Sequence, residues 1–219
     1  MSKVTQAVVA LVFVLSVGHV GHAYVVQVPL AQTKHTLLSM KDSGTRHIKI
    51  RAASLTSISD QSPVLMIFND SGGNDCVSYM LPEALWTAHT DSHGRLSFSY
   101  RDRMLSVSPV RSADFLRRSE LRFSLTSTTG QPIDYTLDEA TQSRVAMTFT
   151  FPIGKVCGSD LGSAQCSSDA DCGGSPGSCQ DSVEEECAEF ASPIVDKPGK
   201  FVSRTIVPSM MCPAVPPGC

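Results

Sequence analysis

Beyond residue 24 the chain consists of short apolar runs, several of which alternate apolar and polar residues. YVVQVPL (24–30), HIKIRA (47–52) and VLMIF (64–68) are rich in β-branched or aromatic side chains, the composition of strands. LSFSY (96–100), MLSVSPV (104–110), LRFSL (121–125) and VAMTFTF (145–151) alternate with a period of two. In the last of these, Val145, Met147, Phe149 and Phe151 share one face while Thr148 and Thr150 take the other. A half-buried strand requires that pattern. Between the runs lie KDSG (41–44), NDSGGND (69–75), DSHG (91–94) and TTGQP (128–132), residue types that form tight turns. Helix signals are few. PEALWTA (82–88) offers a proline at a first helical position, and Ser182 with Glu185 offers a capping box for SVEEECAEF. The pattern predicts a mainly β fold of antiparallel sheets with short helices and a C-terminal disulfide-rich, loop-dominated segment.

The first 23 residues have a different character. Lys3 precedes the apolar stretch AVVALVFVLSV (7–17), and Gly21 and Ala23 occupy the −3 and −1 positions of a small-residue cleavage site. This is the grammar of a secretory signal peptide, so cleavage is expected near Ala23 and the mature chain near Tyr24. The apolar core is too short to span a membrane, and no later segment is long enough. A secreted, extracellular protein without a membrane span is expected.

Charge divides the remainder. Residues 24–156 hold 14 Lys+Arg against 12 Asp+Glu, a net of +2, whereas residues 157–219 hold 3 against 9, a net of −6. The overall charge of −3 disfavours a general nucleic-acid binder. Cysteine density changes at the same place, so a β-rich domain over 24–156 and a cysteine-rich acidic segment over 157–219 are expected. The eight cysteines are Cys76, Cys157, Cys166, Cys172, Cys179, Cys187, Cys212 and Cys219. An even number behind a signal peptide implies disulfides. If all pair within the chain, parity ties Cys76 to a cysteine of the acidic segment. The spacings include no CxxC pair, which argues against zinc.

LMIFNDSGGNDC (65–76) is the most informative stretch, an apolar run that stops at Asp-Ser-Gly-Gly. As a serine-protease nucleophile loop it fails. Only 47 residues (24–70) precede Ser71 in the mature chain, with His35 and His47, too little chain for the triad scaffold. As a glycan site, Asn69-Asp70-Ser71 is an Asn-x-Ser sequon suited to a surface loop. As plain structure it is a polar turn between strands.

The fourth reading comes from a resemblance. VLMIFN runs into Asp70-Ser71-Gly72, MLPEALW (80–86) follows, Tyr100 ends LSFSY, and LRFSLTSTTGQPIDYTL (121–137) reads as F-x-L…G…Y-x-L. Across residues 24–140 this resembles one lobe of the pepsin-like aspartic peptidases. The resemblance implies a pepsin-lobe fold, as opposed to a sandwich. It also implies a peptide or protein substrate, no cofactor, Asp70 as catalytic carboxylate held by Ser71 and Gly72, and Tyr100 as flap tyrosine. Such chemistry needs two aspartates sharing a proton. A second Asp-Ser-Gly, Asp42-Ser43-Gly44, lies in an apparent hairpin turn only 28 residues upstream. Two lobes do not fit in that gap, so activity would require a homodimer, a second half or another partner.

Three further clusters carry chemistry. Asp169 and Asp171 in CSSDADCGGSPGSC (166–179) suggest a calcium loop, but Gln180 stands where a late acidic ligand belongs; the alternative is a disulfide-closed turn. His89, Asp91 and His93 would ligate a metal only on a helix, and Gly94 favours a turn. Arg101, Arg103, Arg111, Arg117, Arg118 and Arg122 form a basic run. It suits a sulfated glycan or an acidic partner, a solvated face, or pairing with the acidic run Asp181, Glu184, Glu185, Glu186 and Glu189. Two functional expectations follow: an aspartic endopeptidase lobe, or a non-enzymatic binding or surface module for an extracellular protein or glycan.

Overall fold

The computed structural model describes residues 24–42, 45–53, 62–69, 76–94, 96–116, 120–135, 137, 141–158, 165–216 and 219. Residues 1–23, expected as a signal peptide, lie outside them. The described chain is a mainly β fold with fourteen strands in two sheets. Sheet A takes β1 (Tyr24–Pro29), β4 (Val64–Phe68), β5 (Cys76–Met80), β10 (Val145–Cys157), β11 (Cys179–Ala191) and β14 (Thr205–Ile206). Its order is β1-β11-β10-β4-β5, with β14 beside β11. Sheet B takes β2 (Leu37–Asp42), β3 (Arg46–Ala53), β6 (Trp86–Thr90), β7 (Leu96–Arg101), β8 (Val110–Leu116), β9 (Glu120–Thr126), β12 (Val195–Lys197) and β13 (Lys200–Ser203). Its order is β12-β13-β2-β3-β9-β8-β7-β6. Every ladder is antiparallel except β1 with β11.

The sheets pack face to face as a sandwich. Leu38, Met40, Ile48, Ile50, Phe123 and Leu125 from sheet B meet Leu65, Ile67, Met147 and Phe149 from sheet A in one buried core. Phe149 is its hub, with ring centroids 5.0 Å from Phe115, 5.1 Å from Phe123 and 5.8 Å from Phe151. Alternation read from the sequence places these residues correctly because side chains change face at each step along a strand.

The strand β10 is less exposed than its pattern suggests. Ala146 and Thr148, on the face away from the core, are buried too, as is Phe68 beside Ala146. Cys212 is bonded to Cys187 on β11, and Cys219 to Cys76 on β5. Cys212 and Cys219 therefore anchor the C-terminal stretch on two strands that flank β10 and β4 in sheet A. β10 also holds Pro152, which cannot donate to a ladder. A bulge between Pro152 and Gly154 absorbs it, and Gly154 adopts φ +101°, a backbone region open to glycine.

Both helix expectations are corrected. After one 3₁₀ turn at Glu83–Leu85, PEALWTA becomes strand β6. Trp86 and the two threonines favour an extended backbone, and Trp86 lies against Tyr100 and Phe115 at 5.4 and 5.8 Å. SVEEECAEF is the interior of β11, flanked by β1 and β10; ladders on both sides override the helix propensity of its glutamates and alanine. The capping box occurs elsewhere, at Ser168 and Asp171. MLSVSPV is strand only at Val110. The carboxylate of Asp102 accepts from the backbone N–H of Val107 and the hydroxyl of Ser106 at 3.0 and 3.1 Å. Leu105 takes φ +51°. Local bonds of this kind compete with a ladder.

The acidic, cysteine-rich stretch is woven into both sheets: β11 forms twelve register pairs with β10, and β13 pairs with β2.

Candidate functional site

The Asp70-Ser71-Gly72 turn, with Gly73, lies outside the described residues, as do Ser43, Gly44, Arg117 and Arg118. The flanking residues are placed. β4 ends at Phe68 and pairs with β5 from Cys76 onward, so the stretch joins two neighbouring antiparallel strands. Asn69 is 2% exposed, and its Nδ2 donates to Oε1 of Gln142 at 3.2 Å. This burial lends no support to the expectation of a glycan at Asn69. Tyr100 is buried as well. A flap tyrosine overhangs a cleft, whereas Tyr100 is fully buried within β7 beneath Trp86. Burial raises the pKa of its phenol.

A polar network surrounds this end of the sandwich. The Oη of Tyr135 donates to Oε1 of Gln142 at 3.0 Å, the atom that also accepts from Asn69. The carboxylate of Asp196 accepts from the backbone N–H of Gln142 and Ser143, each at 2.8 Å. Arg46 donates to the carbonyls of Ile133 and Tyr135 at 3.0 and 2.8 Å and to Asp42 at 2.7 Å. Asp42 and Arg46 face each other across the β2–β3 hairpin. The upstream Asp-Ser-Gly therefore begins in a hairpin clamp, with its carboxylate engaged by a guanidinium. Together these bonds tie Ile133, Tyr135, Gln142 and Ser143 to β3, β12 and the end of β4.

The cysteine loop is an internally tied turn. Asp169 accepts from the backbone N–H of Gly177 and Cys179 at 2.9 and 2.8 Å. Asp171 accepts from those of Ser167 and Ser168 at 2.8 and 3.0 Å. These backbone bonds hold both carboxyls below the usual range and direct their lone pairs into the loop. The Sγ atoms of Cys157, Cys166 and Cys172 lie within 4.8 Å of one another. They belong to the disulfides Cys157–Cys172 and Cys166–Cys179, so they offer no thiolates to a metal. All eight cysteines are paired, with Cys76 bonded to Cys219 in the acidic segment. In the β6–β7 hairpin, His89 contacts Ser99 Oγ at 2.9 Å while Asp91 accepts from the backbone N–H of His93 at 2.8 Å, a turn as expected.

The basic run does not stay together. Arg101 and Arg122 lie on the outer face of sheet B, Arg103 is in the turn after β7, and Arg111 sits at the bulge opening β8. Of the acidic run, Glu189 pairs with Arg144 and Asp181 with Lys155, cations from outside the basic run. Glu184 and Glu186 share the inner face with Phe151 and Phe149 and are buried. Burial pushes the carboxyl of Glu185 up.

No family model, curated protein or solved structure matches this chain.

The outer face of sheet B carries many cations, and ladder register arranges them in transverse rows. Lys197, Lys200, Lys41, His47 and Thr126 lie side by side across five strands. The next row is Val195, Val202, Ser39, Lys49, Ser124, Ser112 and Arg101. The third is Leu37, Arg51, Arg122, Asp114, Ser99 and Thr87. Seven cations thus stand against one carboxylate, Asp114, which is bonded to Arg101. One signal in the sequence pointed here: in HIKIR, His47, Lys49 and Arg51 alternate with Ile48 and Ile50. The lysines of β12 and β13 join them only through tertiary pairing.

Proposed function

We propose that the protein is a secreted, non-enzymatic, disulfide-stabilised binding module whose working surface is the outer face of sheet B. The observation that carries this reading is the three-row array of cations on that face. Four disulfides suit an oxidising, extracellular setting, and among the described residues no helix is long and apolar enough to cross a membrane. The sandwich acts as a rigid frame. The inner faces of both sheets are sealed in the core, the outer face of sheet A carries the Cys187–Cys212 and Cys76–Cys219 bridges, and the outer face of sheet B is left to meet a partner.

The competing reading, a pepsin-like lobe around Asp70, draws no support from Tyr100, whose ring is closed into the core. The experiment that separates the two is proteolysis of denatured protein from pH 3 to 7 by the secreted, oxidised chain. The module reading expects no cleavage above background. Acid-dependent cleavage that pepstatin blocks and Asp70→Ala abolishes would overturn it. Sequencing the N-terminus of the secreted product tests the export step, with a start near Tyr24 expected.

A further inference from the structure

We propose that the outer face of sheet B binds a sulfated polysaccharide. The proposal deepens the module reading above and rests on it. Its physical basis is a cross-strand array in which cations outnumber carboxylates, with Lys41, Lys49, Arg51, Lys197 and Lys200 at its centre. Lys197, Lys200 and Lys41 are direct cross-strand neighbours, with strands about 5 Å apart. Like charges placed directly opposite destabilise a sheet, so these lysines are held together at a cost that a bound polyanion relieves. Lysines on outer strands also deter edge pairing. That role covers Lys197 and Lys200 but not Lys49, Arg51 and Arg122, which lie on the interior strands β3 and β9.

The neighbours of the cations narrow the ligand. Ser39, Ser124, Ser112, Ser99, Thr126 and Thr87 fill the positions between them and offer hydroxyls to sulfate oxygens and sugar hydroxyls. The three rows contain no phenylalanine, tyrosine or tryptophan. Single-stranded nucleic acid is gripped by stacking bases on aromatic side chains, and duplex DNA is read by an element that enters a groove. Neither fits a broad, aromatic-free sheet. Membrane surfaces are held by cations together with inserted apolar groups, and here the apolar members are Val195, Val202 and Leu37, all half-buried. A linear polymer with closely spaced sulfates matches the array: cations about 5 Å apart across strands and about 7 Å apart along them, each a point charge or fork for an oxyanion.

The test titrates the oxidised full chain against dextran sulfate, unsulfated dextran, hyaluronan, a duplex DNA oligonucleotide and phosphatidylserine vesicles at 0.15 M salt. Dextran sulfate should bind and dextran should not. Lys41→Gln/Lys197→Gln/Lys200→Gln should weaken dextran sulfate binding at least tenfold. The salt dependence should also become shallower by about two to three units of log K per log salt, by analogy with counterion release from nucleic acids. Lys49→Gln/Arg51→Gln should weaken it independently, while Lys34→Gln/Arg204→Gln, exposed cations away from the rows, should not. Unchanged denaturant midpoints for these variants show that folding is not the cause. If hyaluronan, DNA or the vesicles bind more tightly through the same lysines, the sulfated ligand is overturned while the module reading stands. Dextran sulfate binding that is equal for the row variants and the parent overturns the assignment to this face. Pepstatin-sensitive cleavage lost in Asp70→Ala would remove the module reading itself, whichever polymer binds.

Discussion

The bridge Cys76–Cys219 joins residues separated by 143 positions, whereas Cys166–Cys179 spans 13. Both hold loops shut in the unfolded chain, and on the loop-entropy account their contributions grow with the logarithm of loop length. That account assigns about 5 kcal/mol to the long bridge and about 3 kcal/mol to the short one at 25 °C. The difference of about 2 kcal/mol comes from the loop lengths alone. Replacing both partners by serine avoids a stray thiol. Cys76→Ser/Cys219→Ser should therefore lower the unfolding free energy by about 5 kcal/mol, and Cys166→Ser/Cys179→Ser by about 3. For a chain of this size a loss of 5 kcal/mol corresponds to a fall in Tm of roughly 10–20 °C. Guanidinium unfolding at pH 7 supplies both free energies and the m-value. The m-value should rise for the long-bridge variant, because an unfolded chain freed of its largest loop exposes more surface. Equal losses for the two variants, or an unchanged m-value with the long bridge removed, would refute an unfolded-state origin. The long bridge would then be acting through native contacts.

Other expectations follow from buried groups and bonded carboxylates. Phe149→Ala removes the ring between Phe115, Phe123 and Phe151 and should cost about 3–5 kcal/mol in denaturant unfolding. Gln142→Ala deletes the acceptor of two buried donors, Asn69 Nδ2 and Tyr135 Oη, and should cost about 1–3 kcal/mol while leaving the far β6–β7 hairpin protected in hydrogen exchange. Asp169 and Asp171 titrate below their ordinary range because backbone N–H groups hold them. Their stabilisation is present above the unfolded carboxyl pKa of about 3.9 and is lost as pH falls through the lower folded values. Asp169→Asn/Asp171→Asn should thus flatten the loss of stability below about pH 4 relative to the parent. Digestion of eukaryotically secreted protein with an N-glycosidase should leave the mass of the peptide bearing Asn69 unchanged.

β-Branched composition was enough to identify β3 and β4, and alternation to identify β7, β9 and the first half of β10, because a strand with one face on a core changes polarity at every residue. Alternation was also enough to separate Ile48 and Ile50 from His47, Lys49 and Arg51, which set the inner and outer faces of the central strand of sheet B. Parity among the cysteines behind the signal segment was enough to tie Cys76 to the acidic stretch. Local pattern failed where distant partners outweighed propensity. SVEEECAEF has the glutamates of a helix but lies between β1 and β10, and WTAHT follows a helix-starting proline but is held by Tyr100 and Phe115.

The sequence by itself determined the period of the chain, the oxidising chemistry of its cysteines and the polarity of each strand. Only the tertiary structure decided which strands are neighbours. That pairing brings Lys197 and Lys200 beside Lys41 across more than 150 residues of chain, closes Tyr100 and Asn69 into the interior, and sets Cys187 and Cys76 where Cys212 and Cys219 bridge to sheet A. The reason is physical: side-chain alternation is a property of one strand, whereas charge density and burial on a sheet belong to its neighbours.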